Sequence, residues 1–403
     1  MADDSPASRQ VIETRSAYLD AIAAIAAGNG PIAIDAERAS GFRYSQRAYL
    51  IQVYRRDVGV VLFDPPAVGA FTELQAAIHD VEWVLHAASQ DLACLREVGL
   101  DPARIFDTEL AARLLGFPRV GLGTVVEELL GTHLAKEHSA ADWSTRPLPQ
   151  SWLEYAALDV ELLVDLRDAM ATMLADAGKS DIAEQEFQAV LEKDSKLVRA
   201  DPWRRLSGIH SVRGLRNLAV ARELWLSRDT LARELDIAPG RLVPDASLIA
   251  AAKAMPATRR VLSEMRDFSG RASRTELDRW WAAVEAGRTT TDLPVVRQNG
   301  DTLPPPRAWS DRNPEADARL KAARAAVYTL SEQRAIPVEN LLTPEFLRRV
   351  AWRPPQTIDA ASIGAALEEL GARAWQIAET SQLIAEAFVE AHQSMDESAE
   401  SAS

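Results

Sequence analysis

The stretch GPIAIDAERAS, residues 30–40, decides the fold. An apolar run that ends in two acids reads as a strand. Successive strand side chains point to opposite faces, so Asp35 and Glu37 share one face while Ile32 and Ile34 take the other. Two carboxylates therefore project side by side from a strand end. Three residues answer them downstream: Asp91 in VLHAASQDLACL (84–95), and Tyr155 and Asp159 in WLEYAALDVELL (152–163). Four residues apart on a helix, Tyr155 and Asp159 stack on one side, about one turn apart. After Pro149, Ser151-Trp152-Leu153-Glu154 reads as the capping box that starts this helix. Asp91 follows the apolar run Trp83-Val84-Leu85 and falls in the first turn of a helix predicted over 89–98, with Ser89 as its N-cap.

Carboxylates crowded together without a cation repel one another and raise one another's pKa, so a cluster of this kind implies bound metal. An all-oxygen donor set favours Mg²⁺ or Mn²⁺, whereas zinc wants histidine or cysteine at ligand spacing. Two such ions, about 3.5–4 Å apart, clamp the attacking and leaving oxygens of a phosphoryl displacement, which is nuclease chemistry. Taken singly, the same residues are ordinary. An Asp at a strand end forms turns or caps helices, and a tyrosine is most often a core aromatic with a wet hydroxyl. Asp107 in FDTELAARLLG (106–116) reads that way, as a helix N-cap, and His86 as a hydrogen-bonded residue closing a buried strand.

In their order and context these segments resemble the DEDD 3′–5′ exonucleases, in the subgroup with tyrosine in the third motif, and most closely the bacterial ribonuclease D family. IAIDAERASGFRYSQRAYLIQV (32–53) is similar to the first motif and second strand of that family, VLHAASQDLACL to its second motif, and YAALDVELL (155–163) to its third. FDTELAARLLG and KEHSAADWSTRPLP (136–149) sit where that family carries similar stretches. The resemblance implies an α/β ribonuclease H-like domain with two divalent metal ions, Mg²⁺ or Mn²⁺. It implies Asp35, Glu37 and Asp159 as ligands of the first ion, Asp35 bridging to the second, Asp91 supporting the second through water, and Tyr155 holding the nucleophilic water. A metal pulls the pKa of its water toward about 7, against about 10 for a free tyrosine, which makes Tyr155 an orienter of water and not its base.

Periodicity predicts a helix over 15–27, strands over 31–36, 48–54 and 59–63 with the last two in a hairpin, a helix over 68–79, a strand over 82–86 and a short strand over 104–106. The expected product is a mixed sheet flanked by helices. Beyond residue 200 the pattern is helical only, and residues 201–256 resemble the HRDC domain that follows the nuclease in ribonuclease D. RELDIAPGRLVPDASLIAAAKAMP (233–256) and EQRAIPVENLLTPEFLRRVAWRPP (332–355) form a weak repeat, in which Ile237, Leu242 and Val243 align with Ile336, Leu341 and Leu342. A second HRDC-like bundle is therefore expected. The domain plan is an exonuclease domain over 1–178, a helical linker over 179–200, an HRDC domain over 201–290, a linker over 291–312, a second HRDC-like helical domain over 313–393 and a disordered tail over 394–403.

A net charge of −14 is unusual for a chain that handles nucleic acid, and its distribution matters. Residues 1–175 carry 14 Lys/Arg against 25 Asp/Glu, whereas residues 201–300 carry 17 against 12. The catalytic part would rely on metal to offset its acids, and the middle part could grip phosphates. In SGFRYSQRAYL (40–50), Phe42, Tyr44 and Tyr49 alternate with Arg43 and Arg47, a composition that suits either a single nucleic-acid strand or a half-buried strand edge. Lys136, Asp142, Trp143 and Arg146 precede the third motif, where substrate contact and loop packing are both open. Phe42, Arg43, Tyr44, Arg47 and Arg146 are the candidate nucleic-acid contacts. Cys94 is the single cysteine, so an internal disulfide is excluded and a buried thiol expected. No apolar run approaches the roughly 18–20 residues of a membrane span, and MADDSPASRQ lacks the pattern of a signal peptide, so a cytoplasmic protein without a membrane partner is expected.

The resulting expectation is a metal-dependent enzyme that removes nucleotides from RNA 3′ ends, on tRNA precursors or other structured RNA, with no obligate protein partner. Direction and RNA preference come from the resemblance alone. The competing readings are a DNA-directed 3′–5′ exonuclease of the same chemistry and a catalytically idle nucleic-acid-binding scaffold. Five intact site residues weigh against the scaffold, because an idle site has no reason to keep clustered charge.

Overall fold

The structure, a computed structural model of the chain, describes residues 10–134, 140–193, 201–295 and 303–401. The first part runs β1 (Val11–Ile12), α1 (Arg15–Ala27), β2 (Asn29–Arg38), β3 (Ala48–Arg56), β4 (Gly59–Phe63), α2 (Pro65–Val68), α3 (Thr72–Ile78), β5 (Trp83–Leu85), α4 (Leu92–Glu97), β6 (Ile105–Asp107), α5 (Thr108–Leu114), α6 (Leu122–Leu130), α7 (Gln150–Glu161), α8 (Leu163–Asp176) and α9 (Ser180–Glu192). The strands form one mixed sheet in the order β1-β4-β3-β2-β5-β6. β2, β3 and β4 are antiparallel neighbours, with the tight β3–β4 turn carried by Asp57 and Gly59, both at positive φ. β2, β5 and β6 are mutually parallel, so their carboxyl ends open on the same edge, where α/β sheets bind ligands. Ile32, Ala33, Ile34 and Ala36 are buried along β2, and Ile51 and Val53 along β3. The central strands are thereby fixed by packing on both faces.

Several elements differ from the expectation for local reasons. The helix predicted over 68–79 is two helices, α2 and α3, because Gly69 at φ 87° breaks the chain between them. The helix predicted over 89–98 is a 3₁₀ turn, Ala88–Gln90, followed by α4. Ser89 thus lies inside the turn and not at an N-cap. α7 starts at Gln150 behind Pro149 with no side-chain cap, so Ser151 and Glu154 form no capping box. α9 packs on β6, α5 and α8 and is part of the body of the first domain, where a linker over 179–200 was expected.

Two helical bundles follow, and the repeat is visible in both. Helix Leu215–Leu235 has 21 residues, ends on Asp236 in the left-handed region at φ 48°, and is followed by helices Pro239–Leu242 and Asp245–Ala254. Helix Pro314–Arg334 also has 21 residues, ends on Ala335 at φ 47°, and is followed by Val338–Leu341 and Pro344–Trp352. The repeated element is thus a long helix, a left-handed stop and a proline-led corner. In the first bundle Gly287 allows helix Leu277–Thr289 to lie directly on the long helix, since a Cβ there would come 2.5 Å from the Val220 Cα. The closing helix spans Ala374–Ser401. The segment expected as a disordered tail over 394–403 is therefore helical as far as Ser401, consistent with its helix-forming Glu, Ala and Met and its lack of Gly or Pro. Among the described residues, no helix is long and apolar enough to cross a membrane.

The second bundle shares a continuous hydrophobic core with the first domain. Glu186 of α9 accepts two hydrogen bonds from Arg373, at 2.5 and 2.7 Å, and one from the Trp375 indole at 2.8 Å. Lys179 donates to the carbonyls of Leu114 and Arg334, and Gly116 packs on Ala335 where a Cβ would meet its carbonyl at 2.7 Å. Because Glu186 is almost fully buried, removing it leaves Arg373 without its partner. Glu186→Ala should therefore destabilise the seam by about 3 kcal/mol, seen by calorimetry as a lowered midpoint for the transition that melts it. An unchanged midpoint would show that the ion pair does not hold the bundle.

Candidate active site

Asp35 and Glu37 stand at the carboxyl end of β2, and α7, which packs across β2, β3 and β4, presents Tyr155 and Asp159 to them. One carboxylate oxygen from each of Asp35, Glu37 and Asp159 lies within 4.8 Å of the others. Asp91, at the start of α4, lines the same cleft, close enough for its charge and that of Asp35 to act on each other. All five expected site residues line one cleft of about 350 Å³, together with Arg38, His86, Gln90 and Glu109. Strand end, helix start and helix face converge as the spacing required.

The turn that delivers Asp91 is held by Asp107. Its buried carboxylate accepts hydrogen bonds from the backbone N–H groups of Ala87 and Ala88, at 3.0 and 2.9 Å, as well as from Glu109 and Leu110. The N-cap expected of Asp107 is present, and its second pair of bonds secures Ala87, an alanine in the left-handed region at φ 62°.

The electrostatics of the cleft are those of a cation site. Burial raises the Asp35 carboxyl above its ordinary value and raises that of Asp91 well above it, with the charge of Asp35 adding to the second. Glu37 is pushed up to about 10 by burial and then by Asp35, Asp159 and Asp91, and Asp159 to about 7 by burial and by Asp35. Left alone, such a cluster retains protons, and a divalent cation among the three oxygens would keep it ionised. The donors are all oxygen, which fits Mg²⁺ or Mn²⁺ chemistry. Burial and the charges of Asp159 and Glu37 also raise the Tyr155 phenol above its ordinary value, so it stays protonated and can only donate toward a charged neighbour. His86 is pushed down to about 4 by burial and meets Thr108 Oγ1 at 2.9 Å, a neutral hydrogen-bonded residue as expected.

Two residues of the site escape sequence reasoning. Gln52, fully buried on β3, is the cross-strand partner of Asp35 and donates from Nε2 to its Oδ2 at 3.4 Å. The signal was an amide near the end of the apolar run Ala48–Val53. Arg38 lines the cleft and pairs with Asp91 at 3.7 Å. Strict alternation would have sent it to the opposite face, but Arg38 is the last residue of β2, where the β2–β3 pairing becomes irregular with Tyr49 of β3 left out of register.

None of the residues read as nucleic-acid contacts lines this cleft. The segment around Phe42 instead seats the first helical bundle. Arg241 stacks on the Phe42 ring at 3.9 Å and donates to the Gly41 carbonyl, and Ala238 N–H donates to the Phe42 carbonyl. The Tyr44 hydroxyl donates to Asp229 at 3.1 Å, Ser45 N–H to Asp236 at 2.8 Å, and Arg47 pairs with Asp236 at 3.8 Å while lying over Tyr49. Arg43 donates to Ser144. Arg146 spends its guanidinium on Asp64, at 2.6 Å, and on the carbonyls of Tyr49, Trp143 and Thr145. Trp143 is buried against Trp152, and Asp142 accepts from Ser144. These aromatics and arginines make contacts between and within domains. Lys136 lies outside the described residues.

Known proteins align with this architecture part by part. Residues 10–175 match the 3′-5′ exonuclease family, residues 217–284 the HRDC domain, and residues 302–388 the family described as the 3′ to 5′ exonuclease C-terminal domain. Ribonuclease D from Granulibacter bethesdensis is 32% identical over 314 residues, which cover 75% of this chain and 72% of that protein. The chain belongs to the ribonuclease D family. Its fold is the ribonuclease H-like exonuclease domain followed by an HRDC domain and a further helical region, and it is a nuclease. A solved protein from Bifidobacterium adolescentis is 35% identical, with a TM-score of 0.86 over 96% of this chain and 99% of its own. Ribonuclease D from Escherichia coli, described as an exoribonuclease involved in structured RNA processing, is 26% identical, with a TM-score of 0.69 over 90% of this chain and 98% of its own.

Asp107→Ala tests the scaffold without touching a metal-ligand candidate. Four backbone donors lose their acceptor, so stability should fall by about 2–4 kcal/mol. Mn²⁺ affinity should fall with it, because the Ala87–Asp91 turn is released. Titration calorimetry showing wild-type Mn²⁺ affinity in this variant would mean that the turn holds its shape without Asp107.

Proposed function

We propose that the protein is a metal-dependent 3′–5′ exoribonuclease that trims structured RNA, tRNA precursors among them. The observation that carries this reading is the convergence of Asp35, Glu37, Asp91, Tyr155 and Asp159 in one cleft of a ribonuclease D family chain. The description of the Escherichia coli relative supports the choice of structured RNA.

In this reading Asp35, Glu37 and Asp159 would hold a divalent ion, and Asp35 and Asp91 would help to hold a second. Mg²⁺ or Mn²⁺ would supply positive charge against the phosphate and acidify the attacking water toward a pKa of about 7. The chain's own residues do the placing. The Tyr155 phenol remains protonated and donates a hydrogen bond that orients the water, while Gln52 holds one oxygen of Asp35. The β2 backbone and the face of α7 set the carboxylates before substrate arrives, so no reorganisation is needed at the moment of reaction.

Purified protein with Mg²⁺ or Mn²⁺ should shorten a 5′-labelled single-stranded RNA one nucleotide at a time, and a matched DNA more slowly. EDTA, or Asp159→Ala, should reduce the rate to roughly one hundredth or less. If no stepwise ladder forms with any divalent metal, the enzyme reading is wrong, and equal rates on DNA would remove the RNA preference.

A further inference from the structure

Among the described residues, the cleft is lined by five carboxylates, those of Asp35, Glu37, Asp91, Glu109 and Asp159, and by one guanidinium, that of Arg38. A nucleic-acid strand brings further negative charge into this place, and among the described lining residues Arg38 is the one Lys or Arg able to meet it. Its geometry leaves it able to do so. Arg38 is the last residue of β2 and lines the cleft beside the two acids. Among the described residues its charged partner is Asp91, at 3.7 Å, which is an ion pair too long for a hydrogen bond. A guanidinium carries five donors in a planar fork that matches two phosphate oxygens. Arg38 is about a quarter exposed, so ligand can reach it. The aromatic and basic residues that follow it, from Phe42 to Arg47, are engaged with the first helical bundle or with neighbouring loop residues.

We propose that Arg38 is a phosphate-binding residue of the active site, which exchanges its long ion pair with Asp91 for a bidentate contact to a backbone phosphate of the 3′-terminal nucleotides. The inference rests on the exoribonuclease reading and adds to it the group on the protein that takes the substrate's charge. The contact is one of position and charge: no bond forms or breaks at Arg38.

The test measures binding apart from turnover. In the Asp159→Asn background with Mg²⁺, where RNA stays intact, a 5′-fluorescein single-stranded RNA is titrated across a range of salt. Adding Arg38→Ala should weaken binding about tenfold, the loss of one charge-assisted contact. It should also reduce the slope of log Kd against log salt by about 0.7, the signature of one phosphate on a single strand. Arg38→Lys should keep the slope, and Arg38→Gln, which retains length and polarity, should lose it even if the alanine variant folds poorly. A slope and affinity unchanged in both neutral variants overturn the proposal and leave Arg38 as a partner of Asp91 only. Wild-type protein on the same RNA separates the two claims. Absence of shortening there sinks the exoribonuclease reading, whereas shortening with an unchanged slope sinks only the role of Arg38.

Discussion

Mutual repulsion among carboxylates is the constraint on which the rest of this molecule depends. Asp35, Glu37 and Asp159 bring oxygens within 4.8 Å of one another, with Asp91 in the same cleft, in a place where burial raises all four. Nothing in such a cluster holds itself together, so each member is imposed by a rigid neighbour. The pleat of β2 fixes the first two, the face of α7 fixes Asp159 with Tyr155, and the turn pinned by Asp107 fixes Asp91. Parallel pairing of β2 with β5 is what brings these supports to the same edge. The free energy needed to keep the acids close is drawn from the packing of the sheet.

The helical bundles are tied to this edge unequally. The second shares its core with the first domain and is stitched by the buried Glu186–Arg373 pair. The first is seated by polar and stacking contacts on the loop from Gly41 to Arg47, which leads directly out of β2 from Arg38. A displacement of that bundle would pull on the strand that carries Asp35 and Glu37. Several of the arginines that make residues 201–300 basic are paired within the bundle, Arg222 with Asp292, Arg228 with Asp245 and Arg279 with Glu234 among them. Net charge therefore overstates the surface available for phosphate.

The sheet and the acidic set were legible because they depend on short-range rules. Alternation placed Asp35 and Glu37 on one face, helical spacing placed Tyr155 with Asp159, and the repeat around Ile237 and Ile336 announced two similar bundles. Features that depend on long-range contact were not legible. Composition made Phe42, Tyr44 and Arg47 look like a nucleic-acid surface, but their partners, Arg241, Asp229 and Asp236, lie nearly 200 residues away. Arg38 and Gln52 were hidden by the same limitation. One gains its place from the cleft it lines at the strand's end, and the other gains its meaning from the residue across the ladder. Gly69 and the unused capping box show that boundaries yield to single residues more readily than element types do.

If the cluster is a cation site held against its own repulsion, stability should reveal it without any substrate. The decisive measurement is the thermal midpoint of the wild type and of Asp159→Asn, each in EDTA and in Mn²⁺. The variant should melt higher than the wild type in EDTA, because one repelling charge is gone, and Mn²⁺ should raise the wild type by several degrees but the variant far less. A wild-type midpoint that Mn²⁺ does not move, together with a variant that melts lower in EDTA, would contradict that reading of the cluster.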